Sequence, residues 1–121
     1  MVVGLGLDIV EVARIERAMA KNPRFIERIL TPREREFCAD ARRVAGRWAA
    51  KEAVYKALGL PLGWQDIEIL PDELGVPKVR VRSSDFDPRR LKIHVSITHE
   101  RNQAAAVALL ERVVYHAPVG V

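Results

Sequence analysis

Hydrophobic spacing divides the chain into a helix-rich first half and a strand-rich second half. In Val3-Gly4-Leu5-Gly6-Leu7-Asp8-Ile9 apolar residues alternate with Gly, Gly and Asp. That period of two predicts a strand with one buried apolar face and an open, nearly side-chain-free face carrying Asp8. From Glu11 to Lys21 the period lengthens: Val12, Ile15 and Met19 share one helical stripe, and Arg14, Arg17 and Lys21 share another. Asn22-Pro23 ends this basic amphipathic helix, and a short helix from Arg24 to Leu30 is expected after it. Thr31-Pro32-Arg33-Glu34 supplies an N-cap, an N1 proline and an N3 glutamate, a capping box that starts a third helix. A fourth is predicted from Ala45 to Leu58, stopped by Gly59 as a left-handed cap.

Beyond Gly59 the grammar is that of strands. Residues 66–70 and 78–82 alternate and flank the turn-rich Pro71–Pro77, which predicts a hairpin. Residues 93–98 alternate as well, and Gln103 to Glu111, although rich in alanine, is read as a further strand. Helices grouped early and strands grouped late predict an α+β fold, with N-terminal helices packed on a largely antiparallel sheet.

The 121 residues suit one domain spanning 1–121. No internal repeat or Pro/Gly/Ser linker interrupts them. The lone Cys38 excludes an intrachain disulfide, suits a reducing compartment, and is read as a small buried hydrophobe. MVVGLGLDIV lacks a basic n-region and meets Asp8 too early for a signal core or a membrane span, so the expectation is a cytoplasmic protein without a membrane partner. His94, His99 and His116 lack the spacing of a helical zinc pair, which leaves a hard, oxygen-ligated cation as the possible metal. The net charge of +4 comes from residues 1–56, with 12 Lys+Arg against 8 Asp+Glu; residues 57–121 balance at 8 each. Such asymmetry favours an anionic partner: a nucleic acid, a nucleotide-like ligand or an acidic protein.

On a helical wheel Ala45, Ala49, Ala53 and Ala57 form a small-residue arc, bordered by Glu52 and Lys56. Alone, Glu52 and Lys56 read equally as an ordinary i, i+4 surface pair. Asp8 reads as a strand-end cap or, with Glu52, as a ligand of a divalent cation. His99 by itself is an ordinary local hydrogen-bonding residue. GLGLD lacks the GxGxxG of a dinucleotide fingerprint, and the chain has no GxxxxGK[ST] loop.

Taken in order, GLGLDIVEVARI, ILTPREREFC, GRWAAKEAVYKALG, WQDIEIL…LGVPKV and VSITHERNQAAAVALL resemble the holo-[acyl-carrier-protein] synthases, small bacterial 4′-phosphopantetheinyl transferases, over residues 3–111. The resemblance implies transfer of 4′-phosphopantetheine from coenzyme A to a serine of apo-acyl-carrier protein, with release of adenosine 3′,5′-bisphosphate. It implies Mg²⁺ held by Asp8 and Glu52, with Lys56 as their catalytic companion. Arg47, Lys51 and His99 fall on positions implied to bind coenzyme A phosphates. Arg14, Lys21, Arg24 and Phe25 fall on implied carrier-protein docking positions, Lys21 standing where some relatives have arginine. Trp48 stands where phenylalanine is frequent, and Thr98 where serine is frequent. The connection from Gly59 to Trp64 is short. A homotrimer with active sites between subunits is implied as well. Residues 115–121 lie outside the matched motifs and are a candidate disordered tail. The competing reading is a small basic nucleic-acid-binding domain, disfavoured by 6% aromatic content and the lack of a groove-reading motif.

Overall fold

The computed structural model describes residues 1–114, so the expectation for the tail at 115–121 lies outside the described residues. Ten elements follow one another. They are β1 (Val2–Glu11), α1 (Val12–Lys21), α2 (Phe25–Ile29), α3 (Pro32–Arg35), α4 (Ala41–Leu58), a 3₁₀ turn (Trp64–Asp66), β2 (Ile67–Pro71), β3 (Pro77–Val81), β4 (Leu91–His99) and β5 (Gln103–Arg112). The architecture is α+β, with a three-stranded antiparallel sheet in the order β1-β5-β4 and a β2-β3 hairpin. The alanine-rich segment 103–112 is the central strand of the larger sheet.

One expectation is reversed. The face of β1 bearing Gly6 and Val10 is the buried one, whereas Leu5, Leu7 and Ile9 are 65%, 67% and 61% exposed. The reason is steric. A Cβ on Gly6 would come within 1.8 Å of the Ala53 carbonyl oxygen, and one on Gly4 within 2.3 Å of that of Ala57. The glycines are therefore filled by the backbone of α4, which their missing side chains admit to the sheet. Opposite them Ala106 and Ala108 on β5, and Ala45, Ala49, Ala53 and Ala57 on α4, are buried too, so the alanine arc is a close helix–sheet seam. A second part of the core gathers Ile15, Ile29, Leu30, Val44, Val54, Ile67 and Ile69 beneath α1, α2 and the hairpin.

Caps account for the start of α3 and both ends of α4. The predicted capping box is present: Thr31 Oγ1 accepts from Glu34 N at 3.2 Å while Glu34 Oε1 accepts from Thr31 N at 2.8 Å. Gly59 ends α4 at φ 65°. The start of α4 differs from expectation, at Ala41 rather than Ala45, because Asp40 Oδ1 accepts from Arg43 N at 2.8 Å and caps the helix one turn earlier.

Candidate active site

The seam between β1 and α4 brings two predicted residues, Asp8 and Lys56, together. Strand and helix advance by similar distances for every two and four residues, so Gly4 against Ala57 and Gly6 against Ala53 bring Asp8 beside the next turn of α4. Lys56 reaches along the helix to meet it. Its Nζ donates to Asp8 Oδ1 at 3.2 Å and to the Leu7 carbonyl at 3.0 Å. Glu52 stands one helical turn earlier, half-buried, in the wall of a cavity of about 240 Å³ formed with Lys51, Tyr55, Leu62, Gly63, Trp64 and Ile67. A carboxylate on the strand and an ammonium on the helix thus meet at the edge of this seam, and the Glu52 carboxylate belongs to the preceding turn of the helix. A larger hollow of about 920 Å³, by Asp85, Arg89, Arg90 and Arg112, contains none of the predicted residues.

The donor set suits Mg²⁺. Asp8 and Glu52 offer hard carboxylate oxygens, and no group of three or more His, Cys, Asp or Glu gathers among the described residues. A Mg²⁺ ion held by two carboxylates is completed by water and substrate phosphate oxygens.

The three residues assigned to coenzyme A separate. Arg47 and His99 stay together at the N-terminal half of α4. Arg47 Nε donates to the Ile69 carbonyl at 3.0 Å, which steadies the guanidinium at the edge of β2. His99, the last residue of β4, packs on Gly46, where a Cβ would stand 2.5 Å from its Nε2. That Nε2 is buried without a hydrogen-bond partner. Burial lowers the His99 pKa from the usual histidine value, helped by the charges of Arg42 and Arg47, while the Arg42 backbone and Asp40 act in the opposite direction. Arg42, not singled out in the sequence, belongs to this cationic group.

Lys51 is a correction. Its side chain is 1% exposed, and its Nζ donates to the Ile29 carbonyl at 2.7 Å, Glu34 Oε1 at 2.6 Å and the Trp64 carbonyl at 2.9 Å. Three ammonium hydrogens have three internal acceptors, so none is left for a phosphate. Burial lowers the Lys51 pKa from the ordinary lysine value, and the Glu34 carboxylate opposes that shift. Glu34 is fully buried and its Oε2 accepts from Ile69 N at 2.9 Å, so one carboxylate joins α3, α4 and β2. In the sequence Glu34 shows only its local capping role, because nothing in the spacing reveals a partner 17 residues away.

The residues expected to dock the carrier protein line up along α1 and α2. The Arg14 guanidinium lies over the Trp48 ring at 5.6 Å, Phe25 stacks on Trp48 at 5.7 Å, and Trp48 meets Trp64 at 4.4 Å. Arg24 is exposed at the N-cap of α2, its N–H donating to Asn22 Oδ1 at 3.0 Å, and Lys21 is exposed in the last turn of α1. An aromatic row therefore runs from the basic helices to the cavity beside Glu52. Trp48, Trp64 and Tyr55 were not among the predicted site residues. Cys38 is buried as expected, and burial pushes its thiol pKa up.

Comparison with known proteins identifies the family. Residues 4–109 match the family model of the 4′-phosphopantetheinyl transferase superfamily. A holo-[acyl-carrier-protein] synthase of Halalkalibacterium halodurans is 44% identical, the match covering 93% of this chain and 98% of the relative. The crystal structure of a holo-(acyl-carrier-protein) synthase from Bacillus anthracis, in complex with CoA (3′,5′-ADP), superposes with a TM-score of 0.80 at 36% identity, covering 93% of this chain and 99% of that one. The Helicobacter pylori enzyme in complex with coenzyme A gives a TM-score of 0.79 at 31% identity, covering 88% and 99%. The fold and site thus define a transferase, and the chain belongs to the 4′-phosphopantetheinyl transferase superfamily, in its holo-[acyl-carrier-protein] synthase family.

Proposed function

We propose that this chain transfers 4′-phosphopantetheine from coenzyme A to a serine of apo-acyl-carrier protein and releases adenosine 3′,5′-bisphosphate. The observation that carries the reading is the meeting of Asp8 and Lys56 at the β1–α4 seam, with Glu52 one helical turn away. The solved relatives with bound coenzyme A support the donor substrate.

Asp8 and Glu52 would hold Mg²⁺. When bound, the ion supplies charge neutralisation at the coenzyme A pyrophosphate. Lys56 spends two of its three hydrogens on Asp8 and the Leu7 carbonyl, which orients the third towards solvent-side ligands such as a phosphate oxygen. The serine hydroxyl attacks the phosphorus that bears the pantetheine arm and forms a phosphodiester, while the bond to the nucleotide's bridging oxygen breaks. Glu52 accepts the serine proton, and Lys56 donates to the departing phosphate. Arg47 and His99 bind coenzyme A phosphates, with Arg42 adding to the positive field around them. Arg14, Lys21, Arg24 and Phe25 receive the acidic carrier protein on the exposed side of α1 and α2.

We infer a homotrimer by family, and the exposed apolar residues of β1 support a face on which copies pack. Leu5, Leu7 and Ile9 form a continuous stripe beside Val107 of β5, and stripes of this kind mark faces that pack against protein. Asp8 alternates with Leu7 and Ile9 and points to the opposite face of β1, an edge strand of its sheet, so a copy seated on that stripe would approach the carboxylate around this edge.

The test is incubation with coenzyme A, Mg²⁺ and apo-carrier protein, read by intact mass. The carrier should gain one phosphopantetheine, dependent on both coenzyme A and the metal. An unmodified carrier, with a known family member converting the same preparation, would overturn the reading.

A further inference from the structure

The C-terminal end of α2 is held by two side chains that the proposed chemistry does not use. Gln65, the middle residue of the 3₁₀ turn, donates from Nε2 to the carbonyls of Glu27 at 2.8 Å and Leu30 at 2.7 Å, with Arg28 O sharing at 3.3 Å. Lys51 adds the Ile29 carbonyl at 2.7 Å. Those are the carbonyls that a helix end leaves without intrahelical donors. Lys51 lines the Glu52 cavity, and Gln65 directly follows Trp64, which lines it too.

A helix of five residues does not hold its own place. With carbonyls on the far side of every contact, only the amide nitrogen of Gln65 suits this position, so the orientation of the side chain is fixed by its surroundings. We propose that Gln65 is a positioning residue which, with Lys51 as its buried anchor, fixes α2 to the cavity wall and presents Arg24 and Phe25 as a preformed docking surface. The identity of the docked partner rests on the function proposed above; the fixing of α2 does not. Preorganisation of this kind acts on affinity, since a surface already ordered loses less freedom when its partner binds.

Two variants test it. Gln65→Met keeps length and removes the donor, and Gln65→Glu keeps shape and turns a carboxylate on the same carbonyls. Lys51→Met is unsuitable because it would leave the buried Glu34 carboxylate without its counter-charge. In Gln65→Met the KM for apo-carrier protein should rise about three- to tenfold, the worth of a hydrogen bond of this class, and more in Gln65→Glu. The KM for coenzyme A and kcat at saturating carrier should stay within about twofold. Hydrogen exchange without either substrate should show the Arg28 and Leu30 amides, which bond to Arg24 O and Ile26 O, losing about three- to tenfold of their protection while β1 and β5 keep theirs. Unchanged exchange in α2, a Gln65→Glu variant no worse than Gln65→Met, or a parallel rise of both KM values would overturn the proposal. So would loss of the whole fold in Gln65→Met, because Gln65 would then hold the core and not α2. If the wild-type chain modifies no carrier, the functional reading fails, and the exchange experiment still decides whether Gln65 fixes α2.

Discussion

Lys51 and Lys56 sit five positions apart on one helix and do opposite work. Lys51 points into the molecule and closes a three-acceptor cage, whereas Lys56 is half exposed and bridges to Asp8. Their difference follows from α4 itself, whose buried side includes Ala45, Ala49, Ala53 and Val54, leaving Glu52 and Lys56 on the adjoining edge. The sequence makes the second role legible, since Glu52 and Lys56 border the alanine arc, but hides the first, because a lysine among alanines reads as polar until its distant acceptors are known. For Glu52 the expected outcome is direct: Glu52→Gln keeps volume and fold and removes a charge from the reacting centre. Turnover should fall roughly 10²–10³-fold, measured by carrier modification at saturating Mg²⁺, and a folded variant with near-normal rate would remove Glu52 from the chemistry. His99 gives a pH signature. Because burial lowers its folded-state pKa, the unfolded chain binds the extra proton first as pH falls below about 6.5. This group therefore contributes no penalty above the unfolded value and destabilises progressively as pH drops from there towards the folded value. Asp40, Arg42 and Arg47 face it and add to the effect of burial in opposing directions, so the comparison needs their charges intact. Replacing His99 with Gln should flatten the melting temperature between about pH 7 and pH 5, before most carboxylates titrate. An unaltered slope would mean that another group carries it.

At the scale of elements, the informative failure is β1. Alternation correctly marks it as a strand, and the usual rule then puts the apolar side inward. The rule loses here because α4 needs backbone-to-backbone approach, which only glycine permits, and that turns Leu5, Leu7 and Ile9 to the outer face. The caps of α3 and α4, by contrast, are local chemistry, and Thr31, Glu34 and Gly59 are readable from a few neighbouring residues. Asp40 was equally local. Its N-cap signal lies before a charged stretch, Arg42-Arg43, that lacks the apolar period by which helices are recognised. If the seam is as tight as Gly6 indicates, Gly6→Ala should destabilise by about 1–3 kcal/mol, since the new methyl meets a main-chain carbonyl at 1.8 Å that no rotamer can clear. Thermal denaturation should show a drop of roughly 5–15 °C. Gly63→Ala is the control, with nothing nearer than 3.5 Å to a Cβ there and a shift within about 0.5 kcal/mol expected. Equal stability of the two variants would show that β1 and α4 are not in the close contact described.

The whole molecule has a basic side along α1 and α2, a seam where Lys56 meets Asp8, and an apolar sheet face. That last face connects the inverted strand to assembly. In an isolated protomer, Leu7 is 67% exposed and makes little contribution to folding, so replacing it should leave the protomer folded. In an assembly whose contact runs along Leu5, Leu7 and Ile9, the same replacement buries a carboxylate against apolar neighbours, which costs several kcal/mol for each copy. Leu7→Glu therefore separates the two roles of one strand. Sedimentation should find the wild-type chain at three times 13.6 kDa and the variant at 13.6 kDa, with the far-ultraviolet circular dichroism of the two alike. Carrier modification should fall with assembly if a neighbouring copy completes the site next to Asp8, and should recover where high protein concentration restores the oligomer, because association follows mass action. A wild-type chain that sediments as a monomer with full activity would detach the apolar stripe from catalysis, and a trimeric Leu7→Glu variant would move the contact to another face.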